Sequence, residues 1–391
     1  MQIGWIDYSR EERNQIVSIL RLLEGQTAMD ELGIGTIRDA FSDMLFPGIS
    51  TQQTRAKYFV LIPYLFALAQ QRNFGSRREV LQYIHNCQDA LVKTLVDNSQ
   101  PGAQGIIGSR NYKQGKPVKT KPSDIYWSGL RTTGILRYPE LSVSDTCEVV
   151  LANIRKRSEI TVKIQGPEES SDDADVLHEG FALFSPLAAD YDVMSEAVID
   201  LTSKEADYLY ERFVNSEGTR DSLTAFMLRN DYLPEYFDEI ETRLLPEHLS
   251  GVVDLAQQFA EFIYGAHLLY NMIYAEGCHY SDQTTDAIYA AFEDYASKPP
   301  AVDLDAIIRM SRCPDSTARF LKGFEAAIHK GDIAQARQLV ISREKQVKPS
   351  REKLNNPERY RYDRPIHLYK LDYRYATAKT IIDDILNGRE G

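Results

Sequence analysis

One stretch of the chain combines the residue types that nucleic-acid chemistry needs. Residues 105–131 read GIIGSRNYKQGKPVKTKPSDIYWSGLR, in which cations, glycines and aromatic side chains surround a single acid, Asp124. Cations bind phosphates, glycines let a backbone approach closely, and aromatic rings stack on bases. The interleaved aromatic residues are Tyr112, Tyr126 and Trp127. The predicted DNA-binding residues of this stretch are Arg110, Asn111, Lys113, Lys119, Lys121, Tyr126, Trp127 and Arg131.

Asp124 is a candidate catalytic group. A carboxylate held among cations keeps a low pKa and stays ionised. Where a glycosidic bond is hydrolysed, an ionised carboxylate stabilises the oxocarbenium-like transition state or activates water. The alternative is that Asp124 or Ser123 only caps the helix that follows Pro122.

A second segment, FPGISTQQTRAK at residues 46–57, predicts a Pro-Gly turn that leads into a helix running from about Ser50 to Gln71. The free N–H groups and positive dipole of a helix start bind phosphates. The segment loosely resembles the helix-hairpin-helix of a DNA glycosylase superfamily, but Ser50 replaces the second glycine of that turn and the downstream catalytic aspartate is absent. An ordinary capped helix turn is the alternative. The predicted DNA-binding residues are Ser50, Thr51, Thr54, Arg55 and Lys57.

Two segments near the ends of the chain hold further candidates. In GWIDYS, Trp5 and Asp7 share a face of an extended chain, where they line a pocket or anchor the first helix. In RYRYDRP and DYRY, Arg and Tyr alternate, which suits backbone and base contacts, so Arg361 and Arg374 are predicted to bind DNA. A basic tail that packs on the acidic middle of the chain is the alternative. The candidate catalytic acids are thus Asp124, Asp7 and Asp372.

The charges are unevenly distributed along the chain. Its 57 acids and 45 bases give a net charge of −12. Residues 165–305 hold 30 acids and 6 bases, residues 101–137 hold seven bases and one acid, and residues 337–379 hold twelve bases and five acids. Basic stretches in an acidic chain indicate a polyanionic partner such as nucleic acid. Oppositely charged faces that pack together are the alternative.

Several classes of protein lack support in the sequence. No apolar run has the ~18 residues of a membrane helix, and the N-terminus has no signal-peptide pattern, so a cytoplasmic protein without membrane association is expected. The four cysteines are widely spaced and no HExxH pair occurs, so no metal and no cofactor is expected. Phosphate-loop, dinucleotide-binding and metal-nuclease signatures are absent as well.

The elements that must position these residues are mainly helices, because apolar residues recur at helical spacing. The sequence predicts a mainly α, multi-helix fold of two packed helical lobes with little β. A basic Gly/Pro-rich loop without a helix is expected at residues 99–122. The predicted regions are 1–160 and 176–391, the second ending in the basic Arg/Tyr-rich segment, with an acidic linker at 161–175. A short β-like run is expected after residue 158, and Thr202 with Glu205 predicts a helix start.

Several motifs carry a family resemblance. GWIDYS, DELGIGTIRDAF and FPGISTQQTRAKYF are followed by IIGSRNY and KPSDIYWSGL. Over essentially the whole chain the sequence resembles a bacterial phage-defence family formerly of unknown function, that of the bacteriophage replication interference DNA glycosylase. The resemblance implies a DNA N-glycosylase that flips and excises α-glucosyl-hydroxymethylcytosine from double-stranded phage DNA with modified bases and leaves abasic sites. A monofunctional enzyme is expected because no lysine stands out as a nucleophile in an apolar pocket. A non-catalytic DNA-binding subunit of a defence complex is the alternative, since it needs only the basic stretches.

Overall fold

The computed structural model describes residues 30–164, 182–185, 189–277, 280–360, 362 and 364–391. These residues form helices and no β-strand, with one isolated bridge between Leu136 and Phe184. The predicted mainly α, multi-helix fold is therefore confirmed. Within the described ranges, no helix is both long and apolar enough to cross a bilayer.

Fifteen α-helices and three short 3-10 turns lie in the described part of the chain. The helices are α1 (Gly35–Leu45), α2 (Tyr58–Gln70), α3 (Arg77–Asn98), α4 (Ser109–Lys113), α5 (Pro122–Thr132), α6 (Val143–Ile164), α7 (Val193–Glu196), α8 (Ser203–Asn215), α9 (Leu223–Asn230), α10 (Glu247–Gly277), α11 (Asp282–Ser297), α12 (Leu304–Ser311), α13 (Asp315–His329), α14 (Ile333–Val347) and α15 (Tyr375–Glu390). The 3-10 turns are Phe237–Glu239, Thr242–Leu244 and Pro357–Arg359.

Two compact units divide the chain. The first unit comprises Met1–Ser42 and Ile240–Tyr373, described from residue 30 onward, and the second comprises Asp43–Glu239 and Arg374–Gly391. Each unit therefore combines segments that are distant in sequence. The linker predicted at 161–175 lies outside the described residues beyond Ile164, so the regions 1–160 and 176–391 stay a prediction.

The core of the second unit surrounds α2, whose sequence YFVLIPYLFALAQ is apolar on nearly every side. A helix of that kind is stable only when it is buried. The ring of Phe59 packs edge-on against Tyr126 of α5 and Phe213 of α8, at centroid distances of 5.1 and 5.4 Å. A Cβ at Gly129 of α5 would lie 2.6 Å from Phe59, so only glycine allows α5 to lie this close to α2.

The first unit is built on α10, whose buried residues run from Leu249 to Tyr274. The ring of Tyr295 from α11 packs directly on Gly265 of α10. A Cβ at this position would lie 2.0 Å from the ring, so only glycine allows this packing. The Tyr295 hydroxyl donates to the Phe262 carbonyl at 2.9 Å, which satisfies the buried polar atom of this packed ring. The helix α10 is thus a core helix.

Helix boundaries differ from prediction in three places. The helix expected from Ser50 begins at Tyr58, because side-chain contacts hold the preceding backbone in a turn. The loop at 99–122 contains the helix α4, since five residues free of glycine and proline lie between Gly108 and Gln114. The expected β-like run after residue 158 instead continues α6 to Ile164, because extending a formed helix costs little.

The start of α8 agrees with the sequence. The Thr202 side chain accepts from the Glu205 N–H, and the Glu205 carboxylate accepts from the Thr202 N–H at 2.8 Å. This reciprocal pair is a capping box, and the predicted helix start at Thr202 is confirmed.

Candidate nucleic-acid interface

The basic loop is shaped by glycines in the left-handed region at both ends of α4. Gly108 precedes the helix with a φ of +87°, and Gly115 follows it with a φ of +67°. At the C-terminal end, the Gly115 N–H donates to the Tyr112 carbonyl and the Lys116 N–H donates to the Asn111 carbonyl, both at 2.9 Å. These two bonds form a Schellman motif, which satisfies the last carbonyls of a helix. The short helix is therefore closed by its own glycine rather than left frayed.

The two arms of the loop are held together by close packing. A Cβ at Gly108 would lie 2.5 Å from a methyl group of Val118, so glycine is required for this approach. Asn111 donates from its side-chain nitrogen to the Pro117 carbonyl at 3.2 Å. Asn111, predicted to bind DNA, thus holds the loop together with one of its amide hydrogens.

Helix α3 anchors the C-terminal arm of the loop. Asp89 accepts from the Val118 N–H at 3.1 Å and from the Lys121 ammonium at 2.6 Å. The charge of Lys121 is therefore compensated by Asp89 within the protein, and its role as a phosphate contact stays a prediction.

A glutamine of α3 caps α5 from outside the helix. The Gln88 carbonyl oxygen accepts from the Ser123 N–H at 2.9 Å, and its amide donates to the Ser123 hydroxyl at 3.1 Å. The helix begins at Pro122, and neither Ser123 nor Asp124 provides the side-chain cap that was the alternative for them. The Asp124 carboxylate is exposed in the first turn of α5.

The N-terminal arm of the loop is anchored by residues 54–58. The Thr54 hydroxyl donates to the Gly105 carbonyl at 2.6 Å, and the Tyr58 hydroxyl accepts from the Ile107 N–H at 2.8 Å. The hydroxyl of the fully buried Tyr126 accepts from the N–H of Thr54 and donates to the carbonyl of Arg55. Thr54 and Tyr126 therefore hold the loop in place, which corrects their predicted contacts with DNA.

Arg55 is engaged by two carboxylates. Its Nε lies 2.8 and 2.9 Å from the oxygens of Asp384 in α15, and its Nη2 lies 2.6 Å from Asp200. Burial raises the pKa of the Asp384 carboxyl, and the bond from Arg55 opposes that rise. Because both partners are acids of the same unit, Arg55 is a structural cation here and its prediction as a phosphate contact is corrected.

Lys57 has no exposed surface. Its ammonium lies 2.6 Å from the fully buried Glu205 carboxylate and donates to the Asp200 carbonyl at 2.9 Å. The Tyr191 hydroxyl donates to the other Glu205 oxygen at 2.8 Å. Burial lowers the pKa of Lys57 against the attraction of Glu205. A fully buried ammonium does not reach a phosphate, so Lys57 does not belong to the DNA-binding set.

The Pro-Gly turn is a packing element rather than a helix start. A Cβ at Gly48 would lie 2.9 Å from Thr132 of α5, and the Gln53 amide donates to the Gly48 carbonyl at 3.0 Å. Arg374 donates to the Ile49 carbonyl at 2.9 Å and pairs with Asp43 at 2.7 Å. Arg374 therefore stabilises this turn, which corrects its predicted DNA contact. Of the residues predicted here, Thr51 is exposed and Ser50 is half-buried.

Trp127 lies in the core of the second unit. Its indole N–H donates to the Leu141 carbonyl at 2.9 Å, and its ring packs against Phe66 at a centroid distance of 5.5 Å. Only 7% of the residue's surface is exposed. The predicted stacking of Trp127 on a base is corrected, since the ring faces are already covered.

The cations that remain on the loop and the adjoining helix form one exposed set, which we name the cationic face. None of its members forms an ion pair with an acid of the described residues, and Lys116 contacts only the Gln114 amide, at 3.2 Å. Unpaired cations on a fixed scaffold create a positive local potential. The cationic face consists of Arg110, Lys113, Lys116, Lys119 and Arg131.

The charge of Asp124 acts on the imidazole of His85 in α3. Burial lowers the pKa of His85 and Lys121 lowers it further, whereas Asp124 and Asp89 act in the opposite direction. The imidazole is therefore neutral near pH 7. His85 was not predicted as a site residue, because the histidines of the chain are scattered singly in the sequence. The available signal was its spacing of four residues from Asp89, which places both on one helix face.

The remaining candidates lie elsewhere or outside the described residues. Asp372 is half-buried in the first unit, beside Tyr373, whose buried hydroxyl donates to the Ala256 carbonyl at 2.7 Å. Asp124 belongs to the second unit. The candidates Asp7 and Arg361, like Trp5, lie outside the residues that the structure describes.

A small cavity lies beneath the loop, between α2, α3 and the start of α5. Its volume is about 10 Å³, and its lining is apolar apart from Gln88 and the Tyr58 hydroxyl. That volume is close to what one water molecule needs, so the cavity does not hold a nucleobase. The cationic face, rather than this cavity, is the candidate site.

The sequence comparison gives a family but no function. The chain belongs to DUF6361, a protein family of unknown function. The match covers residues 1–298, which include the whole cationic face and Asp124. No curated protein and no solved structure gave a match. The basic stretch at 337–379 lies beyond the region that matches the family.

Proposed function

We propose that this protein binds DNA through the cationic face and is a DNA glycosylase of antiphage defence. The observation that carries the proposal is a set of five exposed cations that form no ion pair with an acid of the described residues. Four of them lie on a loop that is anchored at both arms, and the fifth, Arg131, lies near the end of α5. Cations that neutralise phosphates release counterions from DNA, and this release supplies most of the affinity. A loop already fixed by hydrogen bonds loses little entropy on binding.

The proposed reaction is hydrolysis of the N-glycosidic bond of α-glucosyl-hydroxymethylcytosine in phage DNA. This part follows the family resemblance of the sequence motifs. The target nucleotide leaves the duplex, water adds to the sugar carbon C1′, and the base departs with the bonding electrons and gains a proton. The product is an abasic site, and the chemistry needs no metal from this chain.

Asp124 is the proposed catalytic acid of the described residues. Its exposed carboxylate lies in the first turn of α5, directly after the basic loop. A carboxylate beside the sugar stabilises the positive charge that develops there in the transition state. The imidazole of His85, whose pKa responds to the charge of Asp124, is proposed to exchange a proton with the attacking water. Asp7 and Asp372 stay candidate acids, proposed from the sequence alone.

A non-catalytic DNA-binding subunit is the second candidate function. It is favoured by the exposure of Asp124. A glycosylase holds its flipped base in an enclosed pocket. The two candidates share the cationic face and differ only in whether a bond is broken.

An abasic-site assay separates the two candidates. The protein is incubated with unmodified, hydroxymethylated and α-glucosyl-hydroxymethylated DNA, and an abasic-site endonuclease then cuts at any abasic site. Strand breaks confined to the glucosylated DNA are expected. Tight binding to all three DNAs without breaks would favour the binding subunit, and neither binding nor breaks would reject both candidates.

Single variants test the assignment of the acid. Asp124→Asn is expected to abolish base excision while DNA affinity is retained, because the amide keeps the shape but not the charge. Asp97→Asn, at an exposed acid near the end of α3, is the matched control and should leave excision unchanged. Full excision by Asp124→Asn together with loss in Asp7→Asn or Asp372→Asn would move the assignment to that acid.

A further inference from the structure

We infer that Tyr112 is a stacking platform for an unpaired base, so that the loop binds DNA where a nucleotide is single-stranded or extruded from the duplex. The inference rests on the proposed DNA-binding function and names the form of DNA that this face recognises. It concerns binding alone, and it holds whether or not the protein cleaves a glycosidic bond.

Tyr112 is the aromatic residue of the loop that presents its ring to solvent. It is 37% exposed, whereas Tyr126 is fully buried and Trp127 is 7% exposed. The polar atoms of both buried rings are already bonded to backbone groups. The three interleaved aromatics of the sequence are therefore not equivalent, and base stacking falls to Tyr112.

The ring stands among the cations that would hold phosphates. Arg110 and Lys113 belong to the same five-residue helix as Tyr112, and Lys116 follows directly after the Schellman turn. All three are exposed, and no acid of the described residues pairs with them. An aromatic ring flanked by unpaired cations is the arrangement that single-stranded nucleic acid uses, with phosphates on the cations and a base on the ring.

The backbone around Tyr112 is fixed at both ends. Its carbonyl accepts from the Gly115 N–H, and its own N–H donates to the Gly108 carbonyl, both at 2.9 Å. Packing of Val118 on Gly108 then ties this helix to the other arm. The ring is thus offered from a preformed support, which lowers the entropy lost when a base stacks on it.

A paired base inside a duplex has both faces covered by its neighbours, so it offers no ring face to Tyr112. A base that is unpaired or flipped out exposes its faces. Stacking on Tyr112 therefore favours single-stranded DNA, or a duplex with an extruded nucleotide, over a fully paired duplex. The five cations alone would bind both forms through their phosphates.

The test compares four protein variants with the unaltered protein on two DNAs. Affinity is measured by fluorescence anisotropy for a labelled single strand and for the matching duplex, and 2-aminopurine in the single strand reports stacking. Tyr112→Ala is expected to weaken single-strand binding roughly 5- to 100-fold and to relieve the quenching of 2-aminopurine. Tyr112→Phe should bind like the unaltered protein, because it keeps the ring.

Two controls give each outcome a meaning. Tyr236→Ala removes a tyrosine of similar exposure, 39%, from the same unit and should change neither affinity. The double variant Lys113→Glu and Lys119→Glu should weaken binding to both DNAs. Loss of binding in this double variant but not in Tyr112→Ala would overturn the stacking inference and leave the DNA-binding function intact. Binding that none of these variants alters, or no binding to either DNA, would reject the cationic face as the DNA-binding surface, and the inference with it.

Discussion

The two basic stretches of the chain look alike in composition and differ in what their charges do. In residues 101–137, one of the seven bases, Lys121, forms an ion pair with an acid of the described residues. In residues 337–379, side chains of most of the twelve bases are taken up by carboxylates or carbonyls. Those engaged are Arg337, Arg343, Lys348, Lys353, Lys370, Arg374 and Lys379.

The engaged bases of the second stretch include a buried cluster in the first unit. Glu31 pairs with Lys348 at 2.6 Å and with Lys353 at 2.7 Å, and all three side chains are less than a tenth exposed. Glu344, which is fully buried, accepts from the Tyr270 hydroxyl at 2.6 Å and from the Lys353 N–H at 2.9 Å. These cations compensate buried acids of their own unit, so they are not available to a polyanion.

The number of basic residues in a stretch therefore overstates the number of cations that can bind DNA. A basic stretch binds DNA only with the cations that the fold leaves unpaired. The sequence treated both stretches as candidate DNA-binding elements. The structure favours the loop, and it favours a structural role for most of residues 337–379. Four sets of changes test the stability of the first unit and the role of the loop.

The largest effect is expected from Glu31→Gln. The change leaves two buried ammonium groups without a carboxylate, and breaking a buried pair costs about 3–5 kcal/mol of unfolding free energy. Urea unfolding measures that loss. Glu293→Gln, at an exposed acid of α11, is the control and should stay within about 0.5 kcal/mol of the unaltered protein. An unchanged midpoint for Glu31→Gln would mean that the second stretch is not held by this pair.

The unfolding free energy is also expected to depend on pH through His267, which lies in α10 of the first unit. It is buried, and its Nδ1 has no hydrogen-bond partner within the described residues. Burial lowers the pKa of His267 to about 4, with a further lowering by His367 and an opposing pull from Asp30. Because the folded state disfavours protonation, its stabilising contribution is present above pH ~6.5 and is lost as the pH falls toward 4, by about 3 kcal/mol.

The variant His267→Leu isolates this loss from that of the carboxylates. Urea unfolding of both proteins from pH 7 to pH 4 should show the difference in unfolding free energy shift by about 3 kcal/mol in favour of the variant. Parallel curves over that range would contradict a buried neutral imidazole. His85, half-buried beside the loop, should give a smaller shift, since water reaches it.

Neutralising three cations of the loop should change DNA binding and leave stability alone. Each cation that contacts a phosphate adds roughly 1 to the slope of log affinity against log salt concentration. The triple change Arg110→Gln, Lys113→Gln and Lys119→Gln is therefore expected to flatten this slope by up to about 3.

The matched control takes three exposed bases from the second stretch. Lys345→Gln, Arg351→Gln and Arg359→Gln remove the same charge from the chain. Their slope should equal that of the unaltered protein. Equal flattening by both triple variants would show that net charge, and not the cationic face, governs binding.

The smallest effect is expected from Gly108→Ala. A left-handed φ costs an L-residue roughly 1–2 kcal/mol, and the new Cβ would also lie 2.5 Å from Val118. Gly102→Ala has the same backbone strain, at a φ of +85°, with no atom within 4 Å. Faster amide exchange at Val118 and weaker DNA binding are expected for Gly108→Ala only, and equal effects of both variants would argue against a preformed loop.

Sequence pattern and structure agree where local chemistry decides. Helical spacing predicted the mainly α fold, and Thr202 with Glu205 predicted the start of α8, because the two residues satisfy each other's backbone groups. The helix at 109–113 was missed, since the density of glycine and proline around it outweighed its five residues. The cap of α5 was sought in Ser123 or Asp124. The side chain that bonds the first turn is Gln88, which lies 35 residues away in the sequence.

Local sequence indicates most of the helical segments and where positive charge is concentrated, because propensity, capping and composition act over a few residues. Which cations form ion pairs within the protein depends on the tertiary fold. The sequence indicates Arg55 and Lys57 as phosphate ligands. In the structure, Arg55 pairs with Asp384 and Lys57 pairs with Glu205, and both acids belong to helices distant in sequence. An ammonium removed from water must be matched by a carboxylate, and that match depends on which helices meet, not on what surrounds the residue in the chain.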